Sequence, residues 1–253
     1  MPTVIPTPET GRLREAERVR LAELSWPDVP EPSVLVVPLG SCEQHGPHLP
    51  LDTDTRIAEA LAAALVDRLG DGMVLGPTVG IGASGEHESF PGTLSIGTVV
   101  LEGVLVELVR SALPPPGSDR PRPFRGVVVV NGHGGNVEAT TRAAALLTDE
   151  GRDVLVWHPR VPGGDSHAGA TETSMLLHLC PEAVDLTRAE VGSTARWRDI
   201  GDAVRTSGLA AVSANGVLGD PTGSTAEDGR RIFGMLVEQL CAAVDRWRDT
   251  LER

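Results

Sequence analysis

Short apolar runs rich in β-branched residues alternate along this chain with longer segments in which apolar residues recur every three or four positions. The short runs are typical of buried strands, and the longer segments of helices that cover such strands. Strands are predicted at residues 34–37, 73–79, 126–130 and 153–157. Helices are predicted at residues 11–25, 55–69, 98–113 and 225–251, in a segment that ends at Glu150, and in another that begins near Ala168.

This alternation of strands and helices predicts an α/β fold, a single three-layer α/β/α sandwich with a mostly parallel sheet. A chain of 253 residues with 40% hydrophobic content can bury one such core, so one domain is expected over residues 1–253. The proline-rich stretch at 114–123 is interpreted as a stiff surface linker, and residues 185–222 as irregular structure.

Charge and composition exclude several classes of partner and chemistry. The net charge is −13, from 22 basic and 35 acidic residues, which argues against a nucleic-acid or anionic-membrane partner. No apolar run approaches the ~20 residues of a membrane span, and the N-terminus lacks the pattern of a signal peptide. The three cysteines are scattered, as in a reduced cytoplasmic protein. Because there is no lysine, chemistry that depends on a Schiff base or a phosphate-loop lysine is excluded.

The loop after the first predicted strand carries an unusual density of side chains that bind metals. Five of them lie within a dozen residues: Glu43, His45, His48, Asp52 and Asp54. In α/β proteins, a loop that leaves the carboxyl end of a buried strand is a usual place for ligands. Charged groups at this density repel one another and lose hydration unless a cation compensates them. The pattern therefore favours a metal site over a polar surface loop.

A glycine-rich segment at residues 80–85 formally matches the GxGxxG pattern of dinucleotide-binding proteins. That fingerprint needs a helix to open within it, and the Pro91–Gly92 pair shortly afterwards forbids such a helix. The glycines are better explained as a backbone turn close to a site. His87 is then a candidate substrate-binding or supporting residue, and a solvated loop histidine is an equal alternative.

Two further loops present ligand-type residues, His133 in one and His167 with Glu172 in the other. Taken alone, His133 is best explained as a histidine at the end of a strand whose ring is hydrogen-bonded to the backbone. Together with Glu43, His45 and Asp54, the set supplies imidazole nitrogens and carboxylates without thiolates, which suits two divalent ions such as Zn²⁺, Mn²⁺ or Fe²⁺ in a catalytic site. Two adjacent metals need a bridging carboxylate, and Asp54, where a helix begins, is the candidate.

Four sequence motifs, in their order and spacing, resemble the creatininase family of metal-dependent amidohydrolases: GSCEQHGPHLPLDTD, FPGT, NGHGGN and HAGATETS. The resemblance runs from about Val34 to about Leu186. It implies that Glu43, His45, Asp54 and His133 hold two metals and that His167 is the proton-shuttling residue. Creatininases proper place a carboxylate two residues after the histidine of the Asn-Gly-His motif, where this chain has Gly135. We therefore assign the missing ligand to Glu172.

The segment LGSCEQHGPHLPLDTDT, with the later NGVLGDPTG, is similar to the family branch found in mycofactocin systems, whose members are peptidases that act on a modified precursor peptide. The resemblance thus implies hydrolysis of a peptide bond near the C-terminus of that peptide, by a metal-bridging hydroxide with His167 as proton donor, in a homo-oligomer. Few aromatic residues are available to stack a small ring such as creatinine; Trp157 and Phe90 are the nearest candidates.

Two alternatives stay open at the level of sequence. One is a deformylase or cyclic-amide hydrolase of the same family that acts on a small metabolite. The other is a non-catalytic, metal-containing protein that only binds a peptide, although a pure binder needs no proton donor such as His167. A thiol nucleophile at Cys42 is disfavoured because the negative charge of the neighbouring Glu43 would repel a thiolate.

Overall fold

A four-stranded parallel sheet forms the middle layer of the protein, which we describe from a computed structural model over residues 18–115 and 117–251. Its strands are β1 (Ser33–Leu39), β2 (Met73–Leu75), β3 (Phe124–Asn131) and β4 (Val154–Trp157), in the order β2-β1-β3-β4. All three strand pairs are parallel, as strands joined by crossover helices must be when the sheet is buried on both faces.

Helices cover both faces of the sheet, which confirms the predicted α/β/α sandwich. The α-helices are α1 (Thr53–Leu69), α2 (Gly97–Ala112), α3 (Val137–Asp149), α4 (Ala170–Leu179), α5 (Trp197–Ser207) and α6 (Ala226–Leu251). Apolar residues of α1, α4 and α6 pack on one face of the sheet, and those of α2 and α3 on the other. In the described part of the chain, no helix is long and apolar enough to cross a membrane.

The two-residue period of the strands explains why one short sheet supports two apolar cores. Val34 and Val36 of β1 point into the core beneath α1, α4 and α6, whereas Leu35, Val37 and Leu39 point into the core beneath α2 and α3. Every residue of β1 is buried. A strand buried on both faces reads as a continuous apolar run, which is the pattern the sequence shows.

Three predicted segments differ in the structure. The strand predicted at 73–79 ends at Leu75, because Gly76 and Pro77 follow and proline has no amide hydrogen for the ladder; Val79 rejoins the sheet only as an isolated bridge to Leu39. The region 185–222 contains helix α5, which the sequence reasoning missed although Trp197, Ile200 and Val204 recur on one face among charged residues; within this short helix, Gly201 and Val204 are buried.

The helix predicted at 11–25 lies partly outside the described residues. Within the described part, residues Leu21–Glu23 form a single 3-10 turn, and Arg20 makes a bridge to Leu75. The main chain of this segment therefore runs along the sheet edge next to β2. It does not continue as a surface helix up to Trp26.

The register between β1 and β3 places two loops side by side at the carboxyl edge of the sheet. Leu39, the last residue of β1, is paired with Asn131, the last residue of β3. The loop that carries Glu43 and His45 therefore starts next to the loop that carries His133. This edge is where ligands bind in parallel α/β sheets.

Candidate metal centre

The loop after β1 is held against the start of α1 by close backbone packing. A side chain on Gly40 would collide with Thr55, so only glycine allows the loop to lie this close to the helix. Thr55 donates its hydroxyl hydrogen to the main-chain carbonyl of Ser41, and the Ser41 hydroxyl donates to Asp54 Oδ2 at 2.8 Å. These bonds fix Asp54, in the first turn of α1, beneath the loop.

The two carboxylate oxygens of Asp54 face two different histidines. Oδ1 lies 3.2 Å from His45 Nε2, and Oδ2 lies 3.1 Å from His133 Nδ1. Asp54 consequently belongs to two groups of ligand atoms, each with all its members within 4.8 Å of one another: Glu43, Asp54 and His133, and His45, Asp54 and Glu172. A carboxylate shared by two adjacent groups is what a bridging ligand in a two-metal site requires.

Glu43 is a buried carboxylate without hydrogen-bond donors. Its exposed fraction is 0%, and neither Oε1 nor Oε2 receives a hydrogen bond. His87 Nε2 and His133 Nε2 lie 3.3 and 3.0 Å from these oxygens, but not in hydrogen-bonding directions. Burial raises the pKa of Glu43 to about 7, against the opposing effect of His133. An unpartnered buried carboxylate is costly, and a divalent cation compensates it, so the donor set fits a metal.

Main-chain carbonyls fix the orientation of the two histidines. His45 donates its Nδ1 hydrogen to the carbonyl of Glu43 at 3.1 Å, which leaves Nε2 free to face Asp54. His133 donates its Nε2 hydrogen to the carbonyl of Ala83 at 3.2 Å, which leaves Nδ1 facing Asp54. A ligating histidine usually donates its other ring N–H in this way, because the bond fixes the tautomer that binds the metal.

The asparagines of the NGHGGN motif hold its loop in place. Asn131 donates to the carbonyl of His133 at 2.6 Å, and Asn136 donates to Asn131 Oδ1 and to the carbonyl of Gly40. Asn136 Oδ1 also accepts a hydrogen bond from the main chain of Ala83. The two side chains thus connect three loops around the candidate ligands.

The carboxylate of Glu172, in the first turn of α4, lies close to the ligand atoms of His45 and Asp54. Its Oε2 accepts a hydrogen bond from the amide of Ala168 at 2.6 Å and lies 3.8 Å from His45 Nε2. Ala168 has φ +52°, a left-handed conformation that is uncommon for residues other than glycine and is often found at functional sites. This turn brings both His167 and Glu172 to the cavity, and it delays the start of α4 to Ala170.

His167 lies against the candidate ligands and forms a third group with Glu43 and His45, since the ligand atoms of these three residues also lie within 4.8 Å of one another. Its Nε2 is 2.9 Å from the main-chain carbonyl of Gln44, and its Nδ1 is 3.8 Å from Glu43 Oε1. The ring lies 4.4 Å, between centroids, from that of His45. Burial and the neighbouring His45 hold the pKa of His167 well below its usual range, so the ring is neutral.

His87 is buried beside Glu43 and has protein groups at both ring nitrogens. Gln44 Nε2 lies 3.0 Å from Nδ1, and Glu43 Oε1 lies 3.3 Å from Nε2. The ring also lines the cavity, so this placement is compatible both with a supporting role toward Glu43 and with the substrate contact that the sequence predicted.

His48 and Asp52, two of the five candidates in the first loop, take no part in the ligand groups. His48 Nε2 is hydrogen-bonded to Thr173, and Asp52 pairs with Arg56 one helical turn away. Residue type and spacing alone do not distinguish these two residues from Glu43, His45 and Asp54, which do belong to the ligand groups.

An open cavity of about 840 Å³ lies in front of these side chains. Its wall includes five glycines, Glu86, and Trp197 and Arg205 of helix α5. Of the aromatic residues that the sequence suggested near the site, Trp157 is buried in the core under α6, and Phe90 packs in a small cluster with Leu209 and Leu218. Neither lines the cavity, whereas Trp197 does; it was missed because the helix that carries it was not predicted.

Gly135, at the position where a carboxylate was expected, has no room for a side chain. A Cβ there would meet the carbonyl of Ala83, the ring of His133 and Glu86 Oε1. Glu86 was also missed by the sequence reasoning, although it stands directly beside His87 in the glycine-rich segment.

Comparison with known proteins identifies the family. The sequence model of the Creatininase family, described as creatinine amidohydrolase, matches residues 22–244 of this chain. The chain belongs to the creatininase family. The match begins before β1 and ends within α6, and therefore contains every residue of the candidate metal centre.

Two curated relatives of this creatininase-family protein carry a more specific name. Mycofactocin precursor peptide peptidase from Mycolicibacterium smegmatis is 50% identical over 220 residues, covering 85% of each chain. The protein of the same name from Mycobacterium tuberculosis is 48% identical over 249 residues, covering 95% of this chain and 93% of the relative. A solved creatininase named Creatininase Mn superposes with a TM-score of 0.72 at 24% identity, covering 91% of this chain and 98% of the other, and shows the shared fold.

Proposed function

We propose that this protein is a dinuclear metal-dependent peptidase that hydrolyses a peptide bond near the C-terminus of a modified mycofactocin precursor peptide. The observation that carries the proposal is the position of Asp54, whose two oxygens face two neighbouring groups of ligands. Relatives at 50% and 48% identity that are named for this activity support the choice of substrate.

Glu43, Asp54 and His133 would hold one divalent ion, and His45, Asp54 and Glu172 the other. The donors are nitrogen and oxygen atoms only, which suits Zn²⁺, Fe²⁺ or Mn²⁺. When bound, two such ions lower the pKa of water and polarise an amide carbonyl, the two requirements of amide hydrolysis near neutral pH. The chain's own residues then have to orient the substrate and transfer protons.

His167 is proposed as the residue that transfers the proton. Its Nδ1 faces Glu43 at 3.8 Å, next to the ligand groups, and its ring is neutral because burial and neighbouring histidines lower its pKa. A neutral imidazole can take a proton from the attacking water and return it to the departing nitrogen of the scissile amide.

The cavity wall supports a peptide as substrate. Its lining near the ligand groups includes Gly85, Gly132, Gly134 and Gly135. Because glycine has no side chain, the backbone of an extended substrate can approach the ligand groups closely there. The cavity of about 840 Å³ also exceeds what a single small ring needs.

The test is direct incubation of the purified protein with the modified precursor peptide, followed by mass spectrometry. We expect one cleavage near the C-terminus, loss of activity with a strong chelator, and recovery when Zn²⁺, Fe²⁺ or Mn²⁺ is added back. Elemental analysis should find about two divalent ions per chain. An intact peptide in the presence of every metal, or full activity in a metal-free preparation, would contradict the proposal.

A further inference from the structure

Gln44 lies between the two candidate ligands Glu43 and His45, yet its side chain turns away from both. It is buried, with an exposed fraction of 5%. Its amide nitrogen, Nε2, lies 3.0 Å from His87 Nδ1, 2.9 Å from His167 Nε2 and 3.0 Å from the carbonyl of Gly216. The Oε1 atom accepts a hydrogen bond from the amide of Gly46 at 2.9 Å. One side chain therefore joins four segments of the site.

The amide nitrogen has three partners and only two hydrogens. The carbonyl of Gly216 can only accept, so it takes one hydrogen in every arrangement. The second hydrogen is available to one of two imidazole nitrogens, His87 Nδ1 or His167 Nε2. Which of them receives it depends on which ring nitrogen of His167 carries a hydrogen.

The main chain of the same residue supplies the complementary partner. The Gln44 carbonyl also lies 2.9 Å from His167 Nε2. If Nε2 of His167 carries the hydrogen, it donates to this carbonyl, and the side-chain amide donates to His87. If Nε2 is bare, it accepts from the side-chain amide. Both tautomers of His167 are thus satisfied without movement of the ring.

Gly216 is shaped to receive this side chain. Its φ is +77°, and a Cβ there would collide with Oε1 and Cδ of Gln44. The absence of a side chain at Gly216 therefore leaves the space that the Gln44 amide occupies beside this turn. A buried polar group of this kind is stable only when its hydrogen bonds are made.

We propose that Gln44 is a positioning residue for His167, holding the far ring nitrogen of the histidine in either tautomer so that Nδ1 faces the metal centre throughout. The inference rests on the proposed function of His167 as the residue that transfers the proton. Gln44 itself touches none of the atoms that would react.

The test compares Gln44→Met, which keeps the volume and removes both amide hydrogens, with Gln44→Glu, which keeps an oxygen acceptor for Gly46. Gln239→Met, a matched change on helix α6, is the control. The Zn²⁺-loaded proteins are examined by ¹⁵N NMR of the histidine rings, by elemental analysis, by thermal unfolding, and by kinetics on the modified precursor peptide.

We expect changed ring-nitrogen shifts for His167 and His87 in both Gln44 variants, with the metal content of the wild type. The value of kcat should fall by about 10- to 100-fold, the range for an outer-shell partner, while KM changes little. Gln239→Met should match the wild type in all measurements.

Unchanged histidine shifts in a folded Gln44→Met protein would overturn the inference, as would loss of metal in step with activity, since Gln44 would then act through the ligands. If Gln44→Met does not fold, the same readouts on Gln44→Glu decide the question. If the wild type fails to cleave the peptide, the proposed function fails, while the NMR comparison still tests the role of Gln44.

Discussion

At the scale of single residues, a change at Glu172 tests the proposal that the centre holds two metals. Glu172→Gln should lose about one of two bound ions, because a charged ligand is removed while the helix that carries it is kept. Elemental analysis of the purified variant measures the loss. Glu107→Gln, an exposed change on α2, is the control. If Glu172 served only to cap the Ala168 amide, the metal content would not change.

His167→Ala should separate chemistry from metal binding. We expect both ions to remain and turnover to fall by roughly 10²- to 10⁴-fold, the contribution of a positioned acid or base. Metal analysis and single-turnover kinetics on the same preparation make the distinction. His178→Ala, on the far side of α4 beside Phe233, controls for removing an imidazole. Joint loss of metal and activity would reassign His167 as a ligand.

Gly135 and Gly134 form a matched pair for testing the tight packing around His133. A Cβ at Gly135 would meet the Ala83 carbonyl and His133, whereas a Cβ at Gly134 has nothing within 4 Å. Gly135→Ala should therefore destabilise the protein by about 1–3 kcal/mol, the cost of overpacking, and weaken the metal group that contains His133. Gly134→Ala should do neither. Urea unfolding and metal titration of both variants measure the difference, and equal behaviour would contradict the packing argument.

Residue types in sequence predicted which side chains meet but not what orients them. Glu43, His45, Asp54, His133 and Glu172 come together in the structure because their motifs follow strand ends or open helices. Their roles as ligands stay predictions. Gln44 and Glu86 were not anticipated, since an amide or a lone carboxylate has no characteristic spacing. Their importance depends on contacts across more than 40 residues of sequence.

At the scale of secondary structure elements, helix α5 forms one wall of the cavity and tests whether that wall binds substrate. Trp197 is 45% exposed at the start of α5 and lines the cavity. Trp197→Ala should raise KM for the peptide about tenfold, equivalent to roughly 1.4 kcal/mol, with metal content unchanged. Steady-state kinetics measure the change. Trp26→Ala, at 88% exposure outside the site, is the control. An unaltered KM would show that α5 does not contact the substrate.

The elements around the sheet were predictable because their apolar pattern is strong. β1 and β3 are continuous apolar runs, and α1 and α6 each place one apolar stripe on the sheet. Helix α5 and the end of β2 were not predicted correctly, since the apolar stripe of α5 spans only about two turns, from Trp197 to Val204, and β2 is cut short before Pro77. An apolar stripe of only two helical turns among charged residues is easily interpreted as irregular structure until its packing is known.

At the scale of the whole molecule, the shape of the cavity favours an extended substrate over a small planar ring. Trp197 is the aromatic residue that lines it, and several glycines form the rest of the wall near the ligand groups. Creatinine should therefore be hydrolysed poorly or not at all, whereas the modified peptide should be cleaved. Parallel assays at equal enzyme concentration measure the ratio. Efficient creatinine hydrolysis beside an untouched peptide would reverse the choice of substrate but leave the metal chemistry intact.

The pairing of Leu39 with Asn131 also bears on how the protein matures. Glu43 and His133 stand 90 positions apart in the chain and meet only after β1 and β3 have docked in register. The proposed ion sites are therefore complete only after the sheet has formed, and until an ion binds, the buried carboxylate of Glu43 has no hydrogen-bond partner. Metal binding would then stabilise the folded protein, because a ligand that binds only the native state raises the free energy of unfolding by mass action. Cellular metal supply would thus govern the lifetime of this protein as well as its activity.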